Sequence, residues 1–147
     1  MYCAAELELL KRKVENDYIL EQKRLDEECE KRHLKRVERT VKFCDTVINN
    51  ELVNCILKRE KPQYSMRGCT RTDRLGNEYF SLLEYEGVKY ANGEKSYRIS
   101  CQEEDIFDLK TMKEYLNKHC ITMIVNRIHF KRYGSGAFIG EEIKIVI

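Results

Sequence analysis

Proline occurs once in these 147 residues and tryptophan not at all, and from Ala4 to Arg59 the chain holds neither proline nor glycine. A stretch of that kind contains nothing that breaks a helix. Linkers rich in Pro, Gly or Ser are missing too, which leaves one domain, or one small domain plus an arm. No run of 18 apolar residues occurs, so no membrane-spanning helix is expected. The opening "MYCAAELELLKRK" lacks the charged-then-apolar order of a signal peptide. Seven cysteines are an odd number, and none stands in a C-x-x-C pair. The expectation is a reducing cytosol with free, mostly buried thiols and no disulfide framework.

Catalytic signatures are equally scarce. "YGSGAFIG" lacks both the G-x-G-x-x-G spacing and the Lys-Ser/Thr of a phosphate loop, and no helix is expected after it to aim N–H groups at an anion. It reads as a hairpin turn. No G-x-S-x-G appears. Cys120 follows His119 directly, and chain neighbours usually point apart, so the two do not make a nucleophile and its base. Cys101 with His129 would need an assumed tertiary contact. Glu103, Glu104 and Asp105 suit the approach to a helix start, and Glu141 with Glu142 suits protection of a strand edge. Cys29 and His33, four apart on one helix face, have the spacing of two metal ligands, and two such pairs across a dimer would complete tetrahedral zinc. A single pair reads as surface or seam packing. The chain is expected to bind rather than to catalyse, and no cofactor is implied.

What is present is charge, at 35% of residues beside 42% apolar. The net is only +2, but its distribution is uneven. Residues 1–60 carry 13 basic and 13 acidic groups, residues 58–74 six basic and two acidic, and residues 78–108 three basic and eight acidic. The second half is electrically segregated, so local fields matter more than the total.

The first third reads as helix. Glu8 with Arg12, Glu27 with Lys31, Glu28 with Arg32 and Glu38 with Lys42 are i,i+4 pairs, each worth about 0.2–0.5 kcal/mol. Leu34, Val37, Val41, Cys44, Ile48, Leu52 and Cys55 step by three and four, close to heptad spacing. Leu7, Leu10, Val14, Tyr18 and Leu25 make a sparser earlier set. Residues 1–60 are expected to form a helical arm whose seam holds a homodimer; a helical hairpin, broken at Asn16 and Asp17 or at Asn49 and Asn50, is the alternative.

Residues 61–147 change period. Pro62 is expected to stop the helix. "QYSMRGCT" reads as an edge strand, "RLGNE" as a turn, "EYFSLLEY" as a strand, and Glu86 with Gly87 as a further turn. Asn92 followed by Gly93 suits a type I′ hairpin turn, in which both residues take positive φ. Asp108 caps a short helix over 108–119, with Leu109, Met112 and Leu116 on one face. "ITMIVNRIHFKRY", a "GSG" turn and "AFIGEEIKIVI" close the chain as two strands. The fold class expected is α+β: a long N-terminal helical arm or hairpin, then a mostly antiparallel sheet with one short covering helix.

Two basic strips have the composition of a phosphate-gripping surface. One is Lys58, Arg59, Lys61, Arg67, Arg71 and Arg74. The other is Arg127, His129, Lys131, Arg132 and Tyr133, where period two puts 127, 129, 131 and 133 outward and Ile128 and Phe130 inward. They are expected to meet a protein partner or nucleic acid. With abundant Lys, Glu, Asn and Ile and scarce proline, the chain is similar to small accessory proteins of phages and mobile elements. That resemblance implies an anti-CRISPR-like inhibitor of a nucleic-acid-handling host enzyme; direct DNA or RNA binding and a Cys/His or metal enzyme are the alternatives.

Overall fold

The computed structural model describes residues 1–132 and 136–147. One helix runs unbroken through α1 (Ala4–Phe43), a π-helical turn (Cys44–Ile48) and α2 (Asn49–Leu57). No hairpin forms, because an Asn or Asp inside a helix costs only a fraction of a kcal/mol, roughly 0.7 at most, and ion pairs such as Arg24 to Glu28 at 2.6 Å span the charged middle. The helix ends before Pro62. Arg59 takes the left-handed conformation at φ 60°, and the Glu60 N–H donates to the Cys55 carbonyl at 2.8 Å, the closure normally given to glycine.

After the helix come β1 (Gln63–Thr72), β2 (Glu78–Lys89), β3 (Lys95–Ile99), a 3-10 turn (Glu103–Asp105), β4 (Ile106–Asp108), α3 (Leu109–Lys118), β5 (Thr122–Arg132) and β6 (Gly136–Val146). Their order is β1-β6-β5-β3-β2-β4, with β1 also paired to β2. All pairings are antiparallel except that of β3 with β5, so five strands close into a ring. Gly68 allows β1 to turn from one neighbour to the other. A Cβ there would stand 2.1 Å from the Ser81 carbonyl oxygen.

Several local expectations shift. β1 is no edge strand, since it pairs on both sides, and β6, with Glu141 and Glu142, is likewise interior. Glu86 and Gly87 do not reverse the chain; β2 continues to Lys89 across a register shift, with Gly87 at φ 83°. Of Asn92 and Gly93 only the glycine has positive φ, 87°. The hairpin therefore uses a type I turn followed by a left-handed glycine, with the Glu94 N–H donating to the Asn92 side chain at 3.0 Å. Asp108 does cap α3, accepting from the Thr111 N–H at 3.0 Å.

The main core joins Cys44, Ile48 and Leu52 of the long helix to Met66, Phe80, Phe107, Met112, Leu116, Ile143 and Ile145. This corrects the expected dimer seam. Cys44, Ile48 and Leu52 are only 3%, 1% and 3% exposed, Val37, Val41 and Cys55 are half-buried and Leu34 is exposed. The apolar stripe did need a partner surface, and the chain's own sheet supplies it. The core thus draws on residues from both sides of residue 60.

The buried helix positions are Arg36, Thr40, Cys44, Ile48 and Leu52, a repeat of four. In a pure α-helix such a repeat drifts about 40° per step, roughly 160° over this span. The π turn takes up one extra residue and so cancels about 100° of the drift. Polar contacts lock the same face. The Thr40 hydroxyl donates to the Arg36 carbonyl at 2.6 Å and accepts from the Asp108 N–H at 2.9 Å. Arg36 lies 4.4 Å over the Tyr79 ring and reaches Glu103 at 3.1 Å, and Arg39 donates to the Ile106 carbonyl at 2.8 Å. Among the described residues no helix is long and apolar enough to cross a membrane.

Candidate functional site

The first surface is the end of the helix. Every residue from 1 to 21 is exposed; the body begins to cover the helix at Gln22 and Leu25, where Arg74 holds Asp26 at 2.6 Å and also binds Gln22. Leu7, Leu10, Val14 and Tyr18 are 51%, 48%, 59% and 65% exposed. At 100° per residue these four fall within about 80° of one another and in line with Leu25. The face that lies on the body from Leu25 onward thus continues into solvent as an uncovered apolar stripe.

The first basic strip is spread out. Lys58, Arg59 and Lys61 are exposed where the helix ends. Arg71 and Arg74 lie at the far end of β1, up to about 30 Å away at 3.3 Å per residue. Arg67 sits between, 3.8 Å from Glu142, and Arg74 is occupied by Asp26.

The second strip alternates as expected: Arg127, His129 and Lys131 are exposed, Phe130 is buried and Ile128 half-buried. Its charges are not equivalent. Lys131 pairs with Glu94 and lies 5.1 Å from the Tyr90 ring, and its hydrogen bond holds the Glu94 carboxyl below the usual range. That contact ties the strip to the acidic 78–108 region. Tyr133 and residues 134–135 of the expected turn lie outside the described residues.

Arg127 faces a third feature, an open groove of about 1200 Å³ between α3, the β1-β2 turn and strands β5 and β6. Lys110, Lys113, Glu78, Glu114 and Glu141 also line it, so its charge is mixed. In its wall the His33 Nδ1 stands 3.6 Å from Asp108. Asp108 is 3% exposed and spends its other oxygen on the Thr111 N–H and hydroxyl, at 3.0 and 2.6 Å. Cys29 turns elsewhere, toward the hollow that it lines with Asp73 and Arg74. The i,i+4 spacing therefore does not bring Cys29 and His33 onto a common ligand, since the two line different hollows. Among the described residues the groove lining contains no thiol, and the Thr111 hydroxyl is committed to Asp108.

The opposite side of β5 was not anticipated. Met123 packs on the main core, and by alternation Phe130 points the other way. There it starts a row of rings across four strands. Phe138 is 5.6 Å from Phe130, Phe130 is 5.9 Å from Tyr97, and Tyr97 is 6.3 Å from Tyr85. Phe130 is the 5%-exposed floor and Tyr85, 48% exposed, the outer end. A Cβ on Gly140 would come 2.8 Å from the Phe130 ring, so only glycine lets the ring lie down. Lys95 stands 5.5 Å over Tyr85. The registers put Arg67, Lys144 and Arg132 on this face with one carboxylate, Glu142. A shallow concavity of about 550 Å³, lined by Ser65, Arg67, Leu83, Tyr97 and Glu142 among others, opens on it. Arg132 already belongs to the second basic strip, and alternation puts it on the Phe130 side. Tyr85, Tyr97 and Lys95 depend on the β2-β3-β5 adjacency, which no local pattern encodes. Compared with known proteins, the chain matches no family model, no curated protein and no solved structure.

Proposed function

We propose that this chain is a non-enzymatic binding protein that pairs with a second copy through the exposed end of its N-terminal helix and works by contact with a macromolecule. The observation that carries this is the uncovered stripe of Leu7, Leu10, Val14 and Tyr18, which continues a face otherwise packed on the body. Exposed apolar residues scattered singly need no partner, whereas a contiguous stripe at heptad-like spacing does. The seam assigned here lies within residues 4–21, ahead of the one the sequence suggested.

The body then presents its charged faces to the partner. The compositional likeness to phage accessory proteins makes a nucleic-acid-handling enzyme one class of protein to test. Self-association is checked by sedimentation of the full chain at micromolar concentration. A dimer mass that falls to the monomer value in L10E/V14E supports the reading. A monomer mass for the unaltered chain overturns it.

A further inference from the structure

We infer that the Phe130 face of the sheet is a platform for single-stranded nucleic acid. The inference deepens the reading above, because it names the class of partner that the body meets by contact. Three independent features converge. The first is the row of rings rising from buried Phe130 through Tyr97 to exposed Tyr85. Unpaired bases stack on such rings whatever their sequence, and paired bases cannot reach them. The second is charge: among the described residues Arg67, Lys95, Arg132 and Lys144 share the face with one carboxylate, Glu142, which pairs with Arg67 at 3.8 Å and leaves the other three for a phosphate backbone. The third is shape, since the shallow concavity beside Tyr97 accepts a chain laid along the sheet.

The other faces fit this ligand less well. The groove beneath Arg127 mixes four carboxylates with its cations, and Lys131 is neutralised by Glu94. The residues that matter are thus Tyr85, Tyr97, Lys95, Arg67, Arg132 and Lys144, of which only Arg67 and Arg132 belong to the basic strips seen in the sequence.

The test titrates the full chain into fluorescein-labelled oligo-dT, oligo-U and an oligo-dT·oligo-dA duplex, followed by anisotropy over a salt series. Single strands are expected to bind in preference to the duplex, with a log–log salt slope of about −2 to −3 for three or four phosphates. Tyr85→Ala should weaken binding about ten-fold, with Tyr85→Phe keeping it because the ring still stacks. Lys95→Glu and Arg132→Glu should flatten the slope. Arg127→Glu, on the other face, should leave affinity unchanged. Absence of binding at low salt, equal affinity for the duplex, insensitivity to Tyr85→Ala, loss on Arg127→Glu, or equal competition by polyglutamate would each overturn the proposal; the last would transfer the face to an acidic protein. Failure of the dimer would appear in the sedimentation of the unaltered chain, which this titration does not read, so the two ideas fail separately.

Discussion

Glu103 shows how a single residue ties the helix to the sheet. It sits in the 3-10 turn ahead of β4 and meets Arg36 at 3.1 Å and Arg39 at 3.7 Å. The Arg36 hydrogen bond, helped by Arg39 and Arg32, lowers its carboxyl below the ordinary value. A depressed carboxylate contributes stability that is present above its unfolded value, about 4.3, and is lost as pH falls through the folded one. Half of the Glu103 side chain is exposed, so solvent screens the pair and the contribution should be about 0.5–1 kcal/mol. Glu103→Gln should therefore lower the urea midpoint at neutral pH, and the gap from the unaltered chain should close in acid. A gap independent of pH would place the effect in packing instead of charge. No spacing rule links Arg36 to Glu103, 67 residues apart, and sequence alone gave Glu103 the more local role of supporting the α3 start.

At the scale of elements, the long helix, α3 and the strands other than β4 were legible because each is written locally. The absence of Gly and Pro, the Asp108 cap, and the alternation of Ile143 and Ile145 each need only a few neighbours. Which surface covers which stripe was not legible. Cys44, Ile48 and Leu52 display the same spacing whether their partner is a second copy or the chain's own sheet. The π turn is another such case. Its extra residue keeps a repeat of four on one face, and the Thr46 hydroxyl bonds back to the Lys42 carbonyl at 2.7 Å, a contact that bends helices. Deleting exposed Thr46 would leave Cys44, Ile48 and Leu52 spaced by three and four, which an ordinary α-helix satisfies. That deletion should be tolerated, with the thermal midpoint nearly unmoved. Inserting an alanine after Thr46 should instead rotate α2 by about 100°. Taking Ile48 or Leu52 out of the core should then cost about 2–5 kcal/mol. Equal damage from both changes would show that the turn has some other purpose.

The whole molecule divides by burial at about residue 22, well ahead of Pro62. Residues 1–21 give nothing to the core, since each is exposed, yet they carry four large apolar side chains on one face. Within one chain that arrangement is neutral for stability; between two chains it is a contact. The two cases differ in how stability responds to concentration, because association stabilises a folded state by mass action. A chain beginning at Gln22 should fold to the same body, with a midpoint independent of concentration. The full chain should match it when dilute and rise above it as concentration increases. If both midpoints stay equal at every concentration, the stripe joins no second copy and its partner must be a different molecule. If the shortened chain fails to fold even when concentrated, the arm supports its own body instead of a second copy.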